Sequence, residues 1–180
     1  EIASLGNGQN FGDLTEARES ATNNVASHVR GLFGGGYHPG AGDDEIDYVT
    51  MASQGDAIDF GNLSAERYSP GGGSSSTRGI FGGGHPSVNI IEYVEISTLG
   101  DAVDFGDTAI TNKIGNAGSF SSSTRGYILG GARYLAPDTT SFNTIKVVTI
   151  STTGDATDFG DMLYTSYTMG SASNSIRGVK

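Results

Sequence analysis

Apolar residues in this chain fall into short alternating runs, set apart by clusters of glycine, proline, serine and asparagine. From Ile90 to Ser97, Ile91 and Tyr93 share one face while Ile90, Val94 and Ile96 share the other. Apolar side chains on both faces predict a strand covered on both sides. Before it, Thr77-Arg78-Gly79-Ile80-Phe81 is a short apolar run stopped by Gly82-Gly83-Gly84, where the backbone is free to turn. His85-Pro86-Ser87-Val88-Asn89 reads as a loop, because proline cannot serve a central strand and asparagine favours turns. After it, Leu99-Gly100-Asp101 reads as a tight turn and Ala102 to Phe105 as the returning strand. A weaker, more polar fourth strand is expected in segments such as Ala65-Glu66-Arg67-Tyr68 and Met162-Leu163-Tyr164. Serine-rich stretches such as Ser74-Ser75-Ser76 then read as links to the next unit. No segment carries a helical period long enough for a helix-based repeat.

This unit recurs. Gly55-Asp56-Ala57-Ile58-Asp59-Phe60-Gly61 returns as Gly100-Asp101-Ala102-Val103-Asp104-Phe105-Gly106 and as Gly154-Asp155-Ala156-Thr157-Asp158-Phe159-Gly160. A worn copy stands at Gly6-Asn7-Gly8-Gln9-Asn10-Phe11-Gly12, so the phenylalanines are 49, 45 and 54 residues apart. Periods in this range mean stacked supersecondary units, each too small to bury its own apolar face. The expected architecture is one all-β domain over residues 1–180, in units of about 1–49, 50–94, 95–148 and an incomplete 149–180. Four short antiparallel strands covered on both faces fit the blade of a β-propeller. A parallel β-helix, whose turns are usually shorter than this period, ranks second. The core is expected to hold Ile46, Tyr48, Phe60, Phe81, Ile91, Tyr93, Val94, Phe105, Ile128, Val147 and Phe159. Glu1 to Gly6 matches Glu95 to Gly100, and Arg177 to Lys180 matches Arg78 to Phe81, so each end falls inside a strand. About four repeats of a larger propeller are therefore expected, the alternative being ends that meet in a four-bladed ring.

A hydrophobic strand ending in paired glycines, then an aromatic strand, then a second aromatic at a fixed gap resembles the kelch repeat. Tyr48 and Tyr93 each stand 12 residues before Phe60 and Phe105, and Val147 takes the tyrosine position before Phe159. Kelch repeats usually carry tryptophan where these phenylalanines sit, and this chain has none. The wording Ser-Ser-Thr-Arg-Gly-x-Phe-Gly-Gly, followed by Gly-Asp-Ala-x-Asp-Phe-Gly-Asp, is also similar to kelch-like repeats in tail-associated proteins of marine tailed phages. That likeness implies a non-enzymatic structural and recognition module of a virion or extracellular assembly. Its implied partners are other assembly subunits and a host surface glycan or protein, within an oligomeric assembly. A carbohydrate-active propeller enzyme and an intracellular kelch-type adaptor are the alternatives.

Composition narrows the partners. Ten basic residues against twenty acidic ones leave a net charge of −10, which disfavours nucleic acid and anionic membrane surfaces. Without cysteine there is neither a disulfide framework nor a thiolate metal site. No apolar run approaches the roughly 20 residues that span a bilayer.

Chemistry-bearing residues divide into repeated and unrepeated sets. The repeated aspartates, best seen in Asp101, Asp104 and Asp107, are raw material for a calcium site, but their spacing differs from an EF-hand loop. Strand alternation would also send Asp101 and Asp104 to opposite faces. They are expected to serve turns and backbone amides, leaving no metal, no cofactor and no catalytic set. Arg30, Arg78, Arg125 and Arg177 precede glycine in every copy and are expected to pair with aspartates of the same unit. The unrepeated set lies in the segments after the glycine cluster, 37–44, 85–89 and 134–142. There Tyr37, His38, Asp43, Asp44, His85, Asn89, Tyr134 and Asp138 are the candidate ligand-binding residues, since a constant frame with varied loops builds recognition surfaces.

Overall fold

The computed structural model describes residues 7–22, 25–86, 88–108, 115–135, 138–167, 170–174 and 177–179. The first four-stranded antiparallel sheet joins β1 (Val25–Ala26), β2 (Arg30–His38), β3 (Ala41–Thr50) and β4 (Ile58–Asn62) in that order. The second joins β5 (Gly71–Ser74), β6 (Arg78–Gly82), β7 (Ile90–Glu95) and β8 (Val103–Asp107). The third begins with β9 (Gly118–Ser121) and β10 (Arg125–Leu129). A hairpin of β11 (Ala132–Leu135) and β12 (Asp138–Ser141) is inserted before β13 (Thr144–Thr149) and β14 (Thr157–Asp161) complete that sheet. A last pair, β15 (Ala172–Ser173) and β16 (Gly178–Val179), repeats the opening of a sheet.

Two of the strand assignments expected from sequence are corrected. The polar segments 65–68 and 162–164 form no strand; Tyr68 makes only an isolated bridge to His85. The first strands of the second and third sheets instead come from glycine- and serine-rich stretches of the kind that read as links. Their hydroxyls bond backbone in the neighbouring sheet. Ser74 Oγ donates to the Ala26 carbonyl at 2.7 Å, and the Gly72 and Ser74 amides donate to Ser119 Oγ and Ser121 Oγ at 2.7 and 2.9 Å. Small residues let β1, β5, β9 and β15 pack in succession, and serine satisfies the backbone groups this buries.

The opposite edge has a different device. In all three sheets the last strand carries a bulge at the same place. Ile46 pairs with Gly61 and Asp47 with Asp59, which leaves Phe60 without a partner, and Phe105 and Phe159 are skipped in the same way. A bulge re-aims the side chain at its centre. Buried residues therefore recur every third position, Ala57, Phe60 and Leu63, where a regular strand would bury every second one.

Two apolar cores lie between the sheets. Leu32, Ile46 and Phe60 of the first sheet meet Phe81, Val94 and Ile96 of the second. Ile80, Ile91 and Phe105 of the second sheet meet Ile128, Val148, Ile150 and Ala156 of the third. Ile80 and Phe81, adjacent in β6, thus serve opposite cores, as a strand covered on both faces requires. The third copy differs by an exchange across one strand pair. Ile80 stands opposite Tyr93, and at the matching place Tyr127 stands opposite Val147. The aromatic has crossed to the neighbouring strand and still meets the phenylalanine, at 6.0 Å for Tyr93–Phe105 and 5.2 Å for Tyr127–Phe159.

Of the expected core, Phe159 is the exception. Its relatives Phe60 and Phe105 are 3% and 2% exposed, while Phe159 is 56% exposed, because no sheet covers its face among the described residues. Tyr48, Tyr93 and Val147 are half-buried. Replacing a buried phenylalanine by alanine costs about 3–5 kcal/mol. We predict that loss for Phe60→Ala and Phe105→Ala, and less than about 1 kcal/mol, as for an exposed site, for Phe159→Ala. Urea unfolding at low protein concentration checks it; equal losses at all three sites would contradict the burial pattern.

Candidate functional site

The repeated polar residues are engaged in holding sheets together. The Gly100 and Ala102 amides of the second sheet donate to the Phe60 and Asn62 carbonyls of the first, each at 2.8 Å. In return the Asn62 amide donates to Asp101 Oδ1 at 3.0 Å. The same three bonds join Gly154, Asp155 and Ala156 to Phe105 and Asp107, and Gly55, Asp56 and Ala57 to Phe11 and Asp13. Gly61 and Gly106 have φ of +144° and +143°, and a Cβ on either would run into the backbone of the next sheet's glycine. Only glycine meets both demands. The first aspartate of each motif is thus an acceptor between sheets, beyond the turn role expected for it. Asp104 lies opposite Glu92, and the amide of Asp107 is held by Asp155. Among the described residues no three His, Asp or Glu side chains gather as metal ligands would.

Two of the arginines expected to pair with aspartates, Arg30 and Arg78, do otherwise. Arg30 lies over the Tyr48 ring at 4.5 Å and Arg78 over Tyr93 at 4.2 Å. Their Nη1 groups donate to the Ile96 and Ile150 carbonyls of the following sheet at 2.8 and 3.1 Å, and the acid that Arg78 does pair with is Glu95. A cation held against an aromatic face and a backbone acceptor gains from both contacts.

A second pair of arginines, whose partners sequence reasoning missed, is buried. Arg67 pairs with Glu92 with neither side chain exposed, and Arg18 pairs with Asp43, Glu45 and Asp47 at 2.9, 3.1 and 2.9 Å. Burial lowers the Arg67 pKa, and the Glu92 carboxylate opposes that shift. The acids also accept backbone amides, Thr15 on Asp47 and Ser64 on Glu92. The stems of Arg18 and Arg67 run past Gly36 and Gly84, where a Cβ would come within 2.6 and 3.1 Å of them. This accounts for the last glycine of the cluster in the first two copies. The third copy lacks the arrangement: Ile114, outside the described residues, precedes the bridge residue Gly115 as Arg67 precedes Tyr68, and Lys146 replaces the acid. Arginine and acid were lost together.

The candidate ligand-binding residues separate under this geometry. Segment 37–44 is a hairpin, in which β2 runs to His38 and β3 starts at Ala41. Asp43 is tied to Arg18 and lies 3.2 Å from His38 Nε2, so both belong to the Arg18 cluster. Asp44 and Asn89 prove to be one repeated structural position. Their carbonyls accept the Leu63 and Thr108 amides at 2.7 Å each, as Asn143 accepts Met162. Tyr134 and Asp138 sit in the inserted hairpin opposite Thr139 and Leu135, with their side chains outside the described part.

Tyr37 and His85 are brought together, through a residue that the sequence did not single out. Tyr68 packs edge-on against Tyr37 at 5.1 Å and stacks on His85 at 4.7 Å. All three are half-buried, and partial desolvation lowers the His85 pKa. The row crosses the seam from the first sheet to the second. Drift among copies could have marked Tyr68, since Glu19 and Gly115 occupy the matching bridge positions.

No protein-family model and no curated protein matches the sequence.

Removing one member of a buried ion pair leaves an uncompensated charge, at a cost of about 3–5 kcal/mol. We predict that loss for Arg67→Ala and a near-neutral effect for the double replacement Arg67→Met, Glu92→Leu, which removes both partners of the pair, as the third copy lacks both the arginine and the acid. Thermal unfolding of the three proteins checks it; a double variant as unstable as Arg67→Ala would contradict it.

Proposed function

We propose that the stacked sheets are blades of a kelch-like β-propeller, and that the chain is a non-enzymatic structural and recognition module of a viral or extracellular assembly. A phage tail is the assembly closest to its repeat wording. The observation that carries this reading is the Tyr37–Tyr68–His85 row. Arg30, Arg78 and the first aspartates are engaged in joining sheets, so recognition falls to groups that differ among copies. Half-exposed aromatic faces beside histidine are chemistry for stacking against a sugar ring or a protein side chain while exchanging hydrogen bonds. The partners proposed are neighbouring assembly subunits and a surface glycan or protein of a host.

The test is a glycan array probed with the 180-residue chain. Each aromatic contact is worth about 0.5–1.5 kcal/mol, so Tyr37→Leu with Tyr68→Leu should weaken a bound glycan roughly tenfold or more. Leucine keeps apolar bulk in the seam, and the melting temperature should stay within a few degrees. Binding unaffected by the double variant would contradict the site, and array glycans shortened by the protein would overturn the non-enzymatic reading.

A further inference from the structure

The junction between successive sheets has two halves, and among the described residues one half of each kind is unused. Phe159, Gly160 and Asp161 repeat the acceptor half, Phe60-Gly61-Asn62. A Cβ on Gly160 would meet nothing within 4 Å, whereas at Gly61 and Gly106 the next sheet's backbone fills that space. Phe159 is exposed, and so are Leu163 and Tyr164 just beyond it. A groove of about 300 Å³ runs alongside, lined in part by Phe120, Tyr127, Ile145 and Phe159. Asn7-Gly8 repeats the donor half, Asp56-Ala57, and is equally open: both residues are exposed, and a Cβ on Gly8 would meet nothing within 4 Å.

We infer that the β14 edge of one copy of this chain receives the Asn7-Gly8 turn of a second copy, head to tail. The junctions already formed within the chain specify the contact. The Asn7 side-chain oxygen accepts the Asp161 amide, as Asp155 Oδ1 accepts that of Asp107 at 2.9 Å. The Gly8 amide donates to the Asp161 carbonyl, as Ala156 donates to Asp107 at 2.8 Å. Phe159 is covered as Phe60 and Phe105 are. Asparagine supplies the acceptor without charge, so the contact adds no carboxylate in a chain of net charge −10. The two surfaces are different, so the association is heterologous, and copies extend in a row or close into a ring. The inference rests on junction geometry and does not depend on the aromatic row.

The chain has no cysteine, so paired replacements give an unambiguous cross-link. The full chain carrying Asn7→Cys and Asp161→Cys, oxidised mildly, should give a ladder of linked dimers and higher species on a non-reducing gel. A cross-link confined to the monomer would mean that the chain's own leading segment closes on β14, and would overturn the inference, as would no cross-link at all. In sedimentation velocity the native chain should associate with rising concentration, and Phe159→Glu should weaken that at least tenfold. The replaced side chain is exposed, so its melting temperature at low concentration should hold. Association unchanged in Phe159→Glu would likewise overturn the inference.

Discussion

Three backbone-centred hydrogen bonds, made where a Gly-Asp-Ala turn meets the Phe-Gly-Asx end of the preceding sheet, set the terms for the rest of this structure. In the first and second sheets they form where a bulge interrupts the last strand. In an unbroken ladder the Phe60 carbonyl and the Asn62 amide would be committed to pairing or left to water. Here they face Gly100, Asp101 and Ala102 of the next sheet. The same bulge turns Phe60 inward, so one irregularity supplies both the polar seam and the largest apolar anchor beneath it. Glycine at position 61 lets the two backbones meet. Each element of the motif is required by its neighbour, which is why the motif repeats almost verbatim while the rest of the unit drifts.

With that seam fixed at the last-strand edge and serine hydroxyls joining the first strands at the opposite edge, the space between sheets becomes a box of set width. Its contents then vary by compensation. The tyrosine of one copy crosses to the opposite strand in another and keeps its phenylalanine. The buried arginine and its acid are present together in two copies and absent together in the third. Such paired changes are what close packing demands, since a lone change would leave a void or an unpaired charge.

How much of this the sequence disclosed follows the range of each interaction. Repeat, strand alternation and the phenylalanine positions were legible, because each depends on neighbours a few residues away. The first strands were not. Gly71-Gly72-Gly73-Ser74 lacks the apolar pattern of a strand, and its stability comes from Ser119, Ser121 and Ala26 in other sheets. Asp101 lies in the turn before β8, outside the strand to which alternation applies, and its hydrogen-bond donor in the preceding sheet was out of view. Arg67 and Glu92 stand 25 residues apart, and nothing local to either announces the other. Of the candidate site, Tyr37 and His85 were legible as unrepeated aromatic residues, whereas Asp43, Asp44 and Asn89 were drawn in only because a hairpin and a shared structural position were read as free loops. Tyr68, which links Tyr37 to His85, lay in a segment taken for a strand.

The central claim is that the last-strand seam is an integral part of the fold. Native-state amide hydrogen exchange tests it at the bonds themselves. The Asn62, Gly100 and Ala102 amides lie in exposed or half-exposed residues at a turn and a strand end, where fast exchange would otherwise be the rule. The account predicts that all three are protected nearly as strongly as the β6 and β7 amides and open with them in one cooperative step. Exchange of these three at unprotected rates, while β6 and β7 remain protected, would contradict it.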